Sequence, residues 1–286
     1  MILLTGATGK TGGATAKALA EKNVKLRALV RDKQKASPLA QAGIELVVGD
    51  LADEQSVAKA LKGVDKALLI APNSDQQLHL ENHFIDCAQK SGLRHIVKLS
   101  SMEAVPGATG AIPNIHVQSE AHIKASQMAW TMIRPNFFMQ NLLTSAGTIK
   151  DQGKIFLPMK DGKTGMADIR DVAAIMAESL TGEDHKNKSY DITGPELLSF
   201  SQVAAHFSEV MDTKIEYVDM PLDAYISTIA PFLLNEWHVN AITELFAEIA
   251  AGGLENITNT AAQILGREPI SLNQFIQDHM AAFKGA

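Results

Sequence analysis

The sequence predicts an α/β protein: a doubly wound parallel sheet followed by a smaller, mostly helical C-terminal lobe. Three observations carry that expectation. Short β-branched or aliphatic runs alternate with longer amphipathic stretches through the first two-thirds of the chain, the pattern of βαβ units. A glycine-rich turn joins the first such run to the first helical stretch. From residue 197 onward the pattern becomes mostly helical and acidic, with prolines at 221, 231 and 269.

Six runs read as strands: Ile2 to Thr5, Val24 to Val30, Ile44 to Val48, Lys66 to Ala71, His95 to Leu99 and Trp130 to Ile133. Between them, Lys10 to Glu21, Lys33 to Ala42, Glu54 to Leu61, Asp75 to Lys90 and Val117 to Ser126 repeat apolar residues at three-to-four spacing, as crossover helices do. Gly43, Gly63 and Gly92 stand just past three of these helices, where a left-handed cap turns the chain back toward the sheet. We expect a dinucleotide-binding domain over 1–196 and a substrate-side lobe over 197–286, with contributions from about 136–165.

At 286 residues, 46% hydrophobic, 5% aromatic and 20% charged, the composition is that of a globular protein and excludes disordered, collagenous and coiled-coil chains. The net charge of −6 provides no field for nucleic acid or an anionic membrane. Charge is uneven: residues 1–100 hold 14 basic and 10 acidic side chains, whereas Lys214, Arg267 and Lys284 alone oppose eleven acids in 197–286. Cys87, the single cysteine, can form no intramolecular disulfide, which fits a reducing compartment, and thiolate metal sites are excluded. The first residues run directly into the glycine turn without the features of a signal peptide, and stretches such as Pro135 to Ile149 fall short of a membrane span. A soluble, cytoplasmic protein is expected.

The turn reads Leu4-Thr5-Gly6-Ala7-Thr8-Gly9-Lys10-Thr11-Gly12, with G-x-x-G-x-x-G spacing between a strand and a helix. Gly6 suits the tight turn, Gly9 permits backbone approach to a pyrophosphate and Gly12 permits close packing. The N–H groups at the helix start, over Thr8, Lys10 and Thr11, bind the anion. A P-loop would require a glycine where Leu4 stands. The expectation is therefore a Rossmann-type dinucleotide site.

Where the second strand ends, an arginine accommodates the 2′-phosphate of NADP and an acid bonds the ribose of NAD. Arg31, with Lys33 and Lys35 nearby, favours NADP(H); Asp32, one residue on, keeps NAD(H) possible. The third and fourth strands end at Asp50-Leu51 and Ala71-Pro72, in the same ligand-binding edge. Asp50 suits an adenine amino group or, equally, an N-cap for the helix beginning near Asp53. After the sixth strand, Asn136 suits the nicotinamide amide, and Phe137 and Phe138 form either a flat substrate wall or a piece of core.

Thr-Gly-Ala-Thr-Gly-x-x-Gly, Val-Arg-Asp, Gly-Asp-Leu, Ile-Arg-Pro-Asn and Asp-Ile-Arg-Asp-Val-Ala occur in order, and through them the chain resembles the NmrA-like branch of the atypical short-chain dehydrogenases over nearly its whole length. Within that branch it looks most like bacterial NAD(P)H quinone reductases and triphenylmethane dye reductase, at His116 to Glu120 and Ser179 to Tyr190. The resemblance places His116 and Glu120 in the helix that ordinarily carries a catalytic Tyr-x-x-x-Lys pair, and Ser100 at the nicotinamide side or substrate oxygen. No Tyr-x-x-x-Lys exists here: Gly194, Pro221 and Ile229 follow the three tyrosines.

Sugar epimerisation and alcohol oxidation, which need a base at the reacting oxygen, are thereby disfavoured. Hydride transfer to an electron-poor aromatic acceptor, such as a quinone or a cationic dye, remains. His116 suits a donor to a quinone oxygen or, equally, a packing residue, with Glu120 on the same face. The resemblance also includes redox sensors, so an NADP(H)-binding regulatory protein with a protein partner is the alternative. A third reading, an ether-type reductase using Lys124 as base, is weaker.

His79 and His83 lie at i and i+4 without a third ligand, so no metal is expected. Cys87 reads as buried and inert. Ala224 to Leu234 reads as a lid, a partner surface or a core helix.

Overall fold

The computed structural model describes residues 1–232 and 235–285. In chain order the elements are β1 (Ile2–Leu4), α1 (Lys10–Ala20), β2 (Leu26–Val30), α2 (Ser37–Gln41), β3 (Glu45–Val48), α3 (Glu54–Leu61), β4 (Lys66–Leu69), α4 (Gln77–Lys90), β5 (His95–Leu99), α5 (Ala111–Ala125) and β6 (Ala129–Pro135). After a 3₁₀ turn at Met139–Ser145 come α6 (Ala146–Gln152), β7 (Lys154–Leu157), β8 (Lys163–Thr164), α7 (Ile169–Thr181), β9 (Lys188–Ile192) and β10 (Leu198–Ser199). The remainder is α8 (Phe200–Met211), β11 (Glu216–Asp219), α9 (Leu222–Ile229), α10 (Glu236–Ala250), α11 (Thr260–Leu265), α12 (Leu272–Asp278) and α13 (Met280–Lys284).

The chain forms two compact units interleaved in sequence. The first is Met1–Arg134 with Ile169–Asp191; the second is Pro135–Asp168 with Ile192–Ala286. Set beside the expected boundary at 196/197, the second unit begins again at Ile192 and takes in 135–168.

The first unit holds the seven-stranded sheet, in the order β3-β2-β1-β4-β5-β6-β9, with β1 to β6 paired in parallel. The order reverses between β1 and β4, the switch point at which such sheets bind ligands. Leu3, Leu29, Val47, Leu69 and Ile96 of the strands bury against Val57, Phe84, Ile85 and Ile123 of α3, α4 and α5. On the other face α1 packs along α7. Gly43, Gly63 and Gly92 take the left-handed conformation expected of them.

Three elements differ from the sequence expectation. The second helix runs only over Ser37–Gln41, because Pro38 can occupy a first turn but not a helix interior. The helix after β5 starts at Ala111 rather than Val117, with Pro113 in its first turn. Beyond the six expected strands, β9 closes the edge beside β6.

The second unit is mostly helical. Its short strands pair β7 with β11 in parallel and β8 with β10 antiparallel. Its core is aromatic, with Phe207 edge-on to Phe283 at 4.8 Å between ring centroids.

Candidate active site

Gly6 has φ +63°, and a Cβ there would come within 2.9 Å of the Ile70 carbonyl oxygen. A Cβ on Gly12 would run into the Gly6 carbonyl itself. The two glycines thus let α1 start directly against the end of β1. Gly9 is the N-cap of α1 and supplies no capping side chain, so the N–H groups of the first turn point outward from the helix with no carbonyl of their own to serve. Thr8 and Lys10 are exposed and Thr11 half-buried around this turn. Thr5 ties it to the sheet: its Oγ1 donates to the Ile70 carbonyl at 2.9 Å and accepts from the Ile70 N–H at 2.8 Å.

Asp50, Arg31, Gly6, Ala71 and Ser100 follow the carboxyl ends of β3, β2, β1, β4 and β5, which is also their spatial order across the sheet. From β2 to β5 is three strand spacings, about 14 Å at about 4.8 Å each. Arg31 is exposed, and its guanidinium takes no partner among the described residues. Asp32 differs: its Oδ1 accepts from the N–H groups of Gln34 and Lys35 at 2.8 and 3.2 Å, bonding it into its own loop. Lys35 lies across from Thr8 and Gly9 on a groove of about 590 Å³ that continues along α1 past Lys17 to Leu39 and Ile44. Asp50 is exposed and its Oδ1 accepts from the Ala52 N–H. It does not cap α3, a correction to one of its two readings: Asp53 does so, accepting from the Ser56 N–H at 2.9 Å. Leu51 and Ala71 are half-buried, and Pro72 is exposed.

Past β5 lies a buried polar cluster. Ser100 Oγ donates to Glu120 Oε1 at 2.7 Å, Arg134 Nε donates to the same oxygen at 2.8 Å, and Arg134 Nη2 and Lys124 Nζ donate to Oε2. A carboxylate has about four lone-pair sites, so Glu120, 2% exposed, has its acceptor capacity filled from within. Burial pushes its carboxyl up, but the hydrogen bonds from Arg134 and Ser100 outweigh that and hold it below the ordinary glutamate value.

Beside it, His116 receives a hydrogen bond at Nδ1 from Lys98 Nζ, at 2.9 Å. Lys98 is wholly buried; its ammonium also donates to Glu81 Oε1 at 3.0 Å and to the Leu99 carbonyl at 3.1 Å. Gln77 Nε2 donates to the same Glu81 oxygen at 3.1 Å. Desolvation, with the Lys98 charge adding to it, depresses the His116 pKa well below the ordinary histidine value. Lys98, Glu81 and Gln77 had no place among the sequence candidates. The available signal was a lysine inside a strand of a parallel sheet, where both faces are covered.

Asn136 lies in the second unit, 3% exposed. Its Nδ2 donates to the Leu254 carbonyl at 3.1 Å, and its Oδ1 accepts from Thr164 Oγ1 and the Phe137 N–H, both at 2.6 Å. Phe137 is core, packed edge-on to Phe200 and against Phe246. Phe138 is half-buried. Of the adjacent pair, only Phe138 presents ring surface.

Cys87 is buried, which raises its thiol pKa. His79 stacks on His83, and no cluster able to hold a metal occurs among the described residues. Lys124 is bonded to Glu120 and lies over the Trp130 ring. Leu233 and Leu234, from the segment read as a lid or partner surface, lie outside the described residues; Ala224 to Ile229 lie in α9 and its end. No helix among the described residues is long and apolar enough to cross a membrane.

A glycine cradle that any Cβ would fill, opening a helix at the switch point of a parallel sheet, defines a dinucleotide-binding α/β protein. More narrowly, residues 1–276 match the NmrA-like family, and the chain belongs to it. It is 32% identical to the NAD(P)H azoreductase of Xenophilus azovorans over 286 residues, covering 100% of both chains. Its fold matches that of the NADPH complex of the quinone oxidoreductase QOR2 from Escherichia coli with a TM-score of 0.89 and 25% identity, covering 98% of this chain and 100% of that one. The Citrobacter sp. triphenylmethane reductase complexed with NADP(H) shares the fold, at a TM-score of 0.87 and 23% identity, with 96% and 99% covered.

Proposed function

We propose that the protein is an NAD(P)H-dependent oxidoreductase that reduces a quinone or a comparable electron-poor aromatic, an azo compound included, and that it prefers NADPH. The observation that carries this reading is the row of positions along the carboxyl edge of the sheet, from an uncommitted Arg31 past the glycine cradle to the buried Ser100. The kinship with an NAD(P)H azoreductase over the full chain supports it.

In this reading the first-turn N–H groups of α1 hold the pyrophosphate, with Thr8, Lys10 and Thr11 around it. Arg31 bonds the 2′-phosphate bidentately and Lys35 adds charge beside it. Asp32 is engaged by its own loop, so it competes poorly for a ribose hydroxyl. Asp50 and Leu51 flank the adenine, Ala71 and Pro72 the central part of the dinucleotide, and Ser100 its nicotinamide end. When bound, a reduced nicotinamide supplies hydride.

The chain supplies position and a hydrogen bond to the acceptor. His116 donates to the acceptor's oxygen or nitrogen. Glu120 and Asn136, whose polar atoms are engaged within their own units, act as anchors for Ser100, Arg134 and the 136–138 segment rather than as direct contacts. Reduction of such acceptors needs no tyrosinate, since a hydroquinone anion is delocalised and takes its proton from water. The lone thiol of Cys87 suits the cytoplasm.

The test is oxidation of NADPH and NADH by purified protein with a panel of quinones, azo dyes and one cationic dye, with cofactor binding read in the same samples. Saturable, acceptor-dependent turnover, faster with NADPH, is the expected result. Binding of NADP and NADPH without turnover on any acceptor would transfer the protein to the class of redox sensors.

A further inference from the structure

Lys98 is a buried cation that the reaction above does not use. An ammonium has three protons, and here all three have acceptors: Glu81 Oε1, the Leu99 carbonyl and His116 Nδ1. The third contact dictates a tautomer. A nitrogen that accepts from Lys98 carries no proton, so the remaining proton of a neutral imidazole stands on Nε2. Glu81, itself held by Gln77, pairs with Lys98 and holds it in place. Nε2 has no partner among the described residues and is not among the polar atoms sealed from solvent. It is the atom left to meet a ligand.

We propose that Lys98 is a positioning residue: held by Glu81 and Gln77, it locks His116 as the neutral tautomer protonated on Nε2, a permanent hydrogen-bond donor to the acceptor. This rests on the reading of His116 as the residue that meets the acceptor. The elements around His116 carry His95 and Lys98 on β5, His79, Glu81, His83, Asp86 and Lys90 on α4, Glu120, His122 and Lys124 on its own α5, and Arg134 on β6. Lys98 is the one in contact with the ring, and its charge opposes imidazolium formation. His116 therefore offers a hydrogen bond without giving up a proton, and the product anion draws its proton from solvent. The acceptor class that fits is one whose reduced form is already a stabilised anion, such as a hydroquinone, rather than a simple ketone that requires proton delivery at once.

Long-range ¹H–¹⁵N correlation spectra of the histidine-labelled full chain test the lock directly, with His116→Gln identifying the signals. The expected spectrum shows His116 neutral and protonated on Nε2, unchanged between pH 5.5 and 8.5. Protonation on Nδ1, or titration near the ordinary histidine value, would overturn the proposal whatever the enzyme reduces. In Lys98→Met the lock on Nδ1 is lost, and His116 is expected to show the Nδ1-protonated tautomer beside the Nε2-protonated one; an unchanged spectrum would count against Lys98 as its cause. Should the unpaired Glu81 prevent folding, Lys98→Met with Glu81→Leu removes both charges and asks the same question.

Activity separates this inference from the reading beneath it. A wild-type acceptor-reduction rate that is flat over the same pH range, and lower in the Lys98 variant where Nε2 is no longer held as the donor, supports both. A locked His116 whose replacement by Gln leaves kcat and KM unchanged would sustain the lock and refute the role of His116 at the acceptor.

Discussion

Arg134 grips Glu120 through a two-point fork, Nε on one carboxylate oxygen at 2.8 Å and Nη2 on the other, while Ser100 shares the first oxygen. This joins the end of β6 to α5 and to the residue after β5, fixing the Ser100 side chain at the nicotinamide end of the proposed site. Removing Arg134 leaves a buried carboxylate with only Ser100 and the half-exposed Lys124 as donors. Arg134→Met should destabilise the protein by about 3 to 5 kcal/mol, read from urea denaturation, and Arg134→Lys should not restore it because an ammonium cannot reproduce the fork.

The glycine cradle makes a steric prediction. Gly12→Ala pushes a methyl group into the Gly6 carbonyl, so the turn must move away from α1. NADPH affinity should drop at least about tenfold, roughly the 1.4 kcal/mol equivalent of one charge-assisted hydrogen bond. Isothermal titration checks this, and unchanged affinity would mean that the turn does not hold the pyrophosphate.

Arg31→Ala tests the cofactor preference. Losing a charge-assisted contact of about 1.5 to 3 kcal/mol should raise the Kd for NADPH about 10- to 100-fold, while NADH binding changes little. Equal losses for the two cofactors would remove the assignment of Arg31 to the 2′-phosphate.

Asn136→Ala distinguishes an anchor from a catalytic group. Thr164, the Leu254 carbonyl and the Phe137 N–H would all lose a partner, so a loss of about 1 to 3 kcal/mol in stability is expected. With folded protein, NADPH affinity should be retained, because the phosphate-binding residues lie in the other unit. A collapse of turnover with stability intact would instead place Asn136 at the chemistry.

Three buried groups, His95, His116 and Glu120, shape the acid response, His116 with the same sign as His95. His95, buried and hydrogen-bonded through Nε2 to Thr131 Oγ1, has its pKa pushed down to about 4 chiefly by burial. The unfolded chain, with an ordinary histidine near 6.5, binds the proton first, so this contribution to stability is present above pH 6.5 and is lost as pH falls toward 4. Glu120, held below the ordinary glutamate value, stabilises above about 4.5 and adds its loss below that. Denaturation midpoints measured from pH 7 to 4 should fall, with a slope of at most about 1.4 kcal/mol per pH unit from His95. His95→Gln should flatten the upper part of that decline.

What the sequence made legible was local. β1 to β6, the glycine turn and the arginine after β2 each announce themselves within a dozen residues, through alternation, strand-to-helix context and turn chemistry. The edge strand β9 did not, because Lys188 to Asp191 is largely polar and carries no buried run. α2 is shorter than the periodicity of 33–42 predicts, since Pro38 forbids the longer helix. The candidate site divides the same way. Arg31 stands in a motif, but the Lys98–Glu81–His116 chain and the Arg134–Glu120 fork join residues 14 to 18 apart in sequence, on different elements. Only packing brings them together. Phe137 and Asn136 illustrate the converse: residue type suggested a ligand contact, and burial in the second unit assigned their side chains to its interior.

The central claim is that hydride passes from bound NADPH to an aromatic acceptor in this protein. The most direct measurement is the primary kinetic isotope effect on acceptor-dependent NADPH oxidation, with deuterium placed in turn on each face of the nicotinamide C4. The account predicts a primary effect from one face alone, saturable in quinone or azo acceptor. Tight NADPH binding with no acceptor-dependent oxidation and no transfer of deuterium from either face would contradict it.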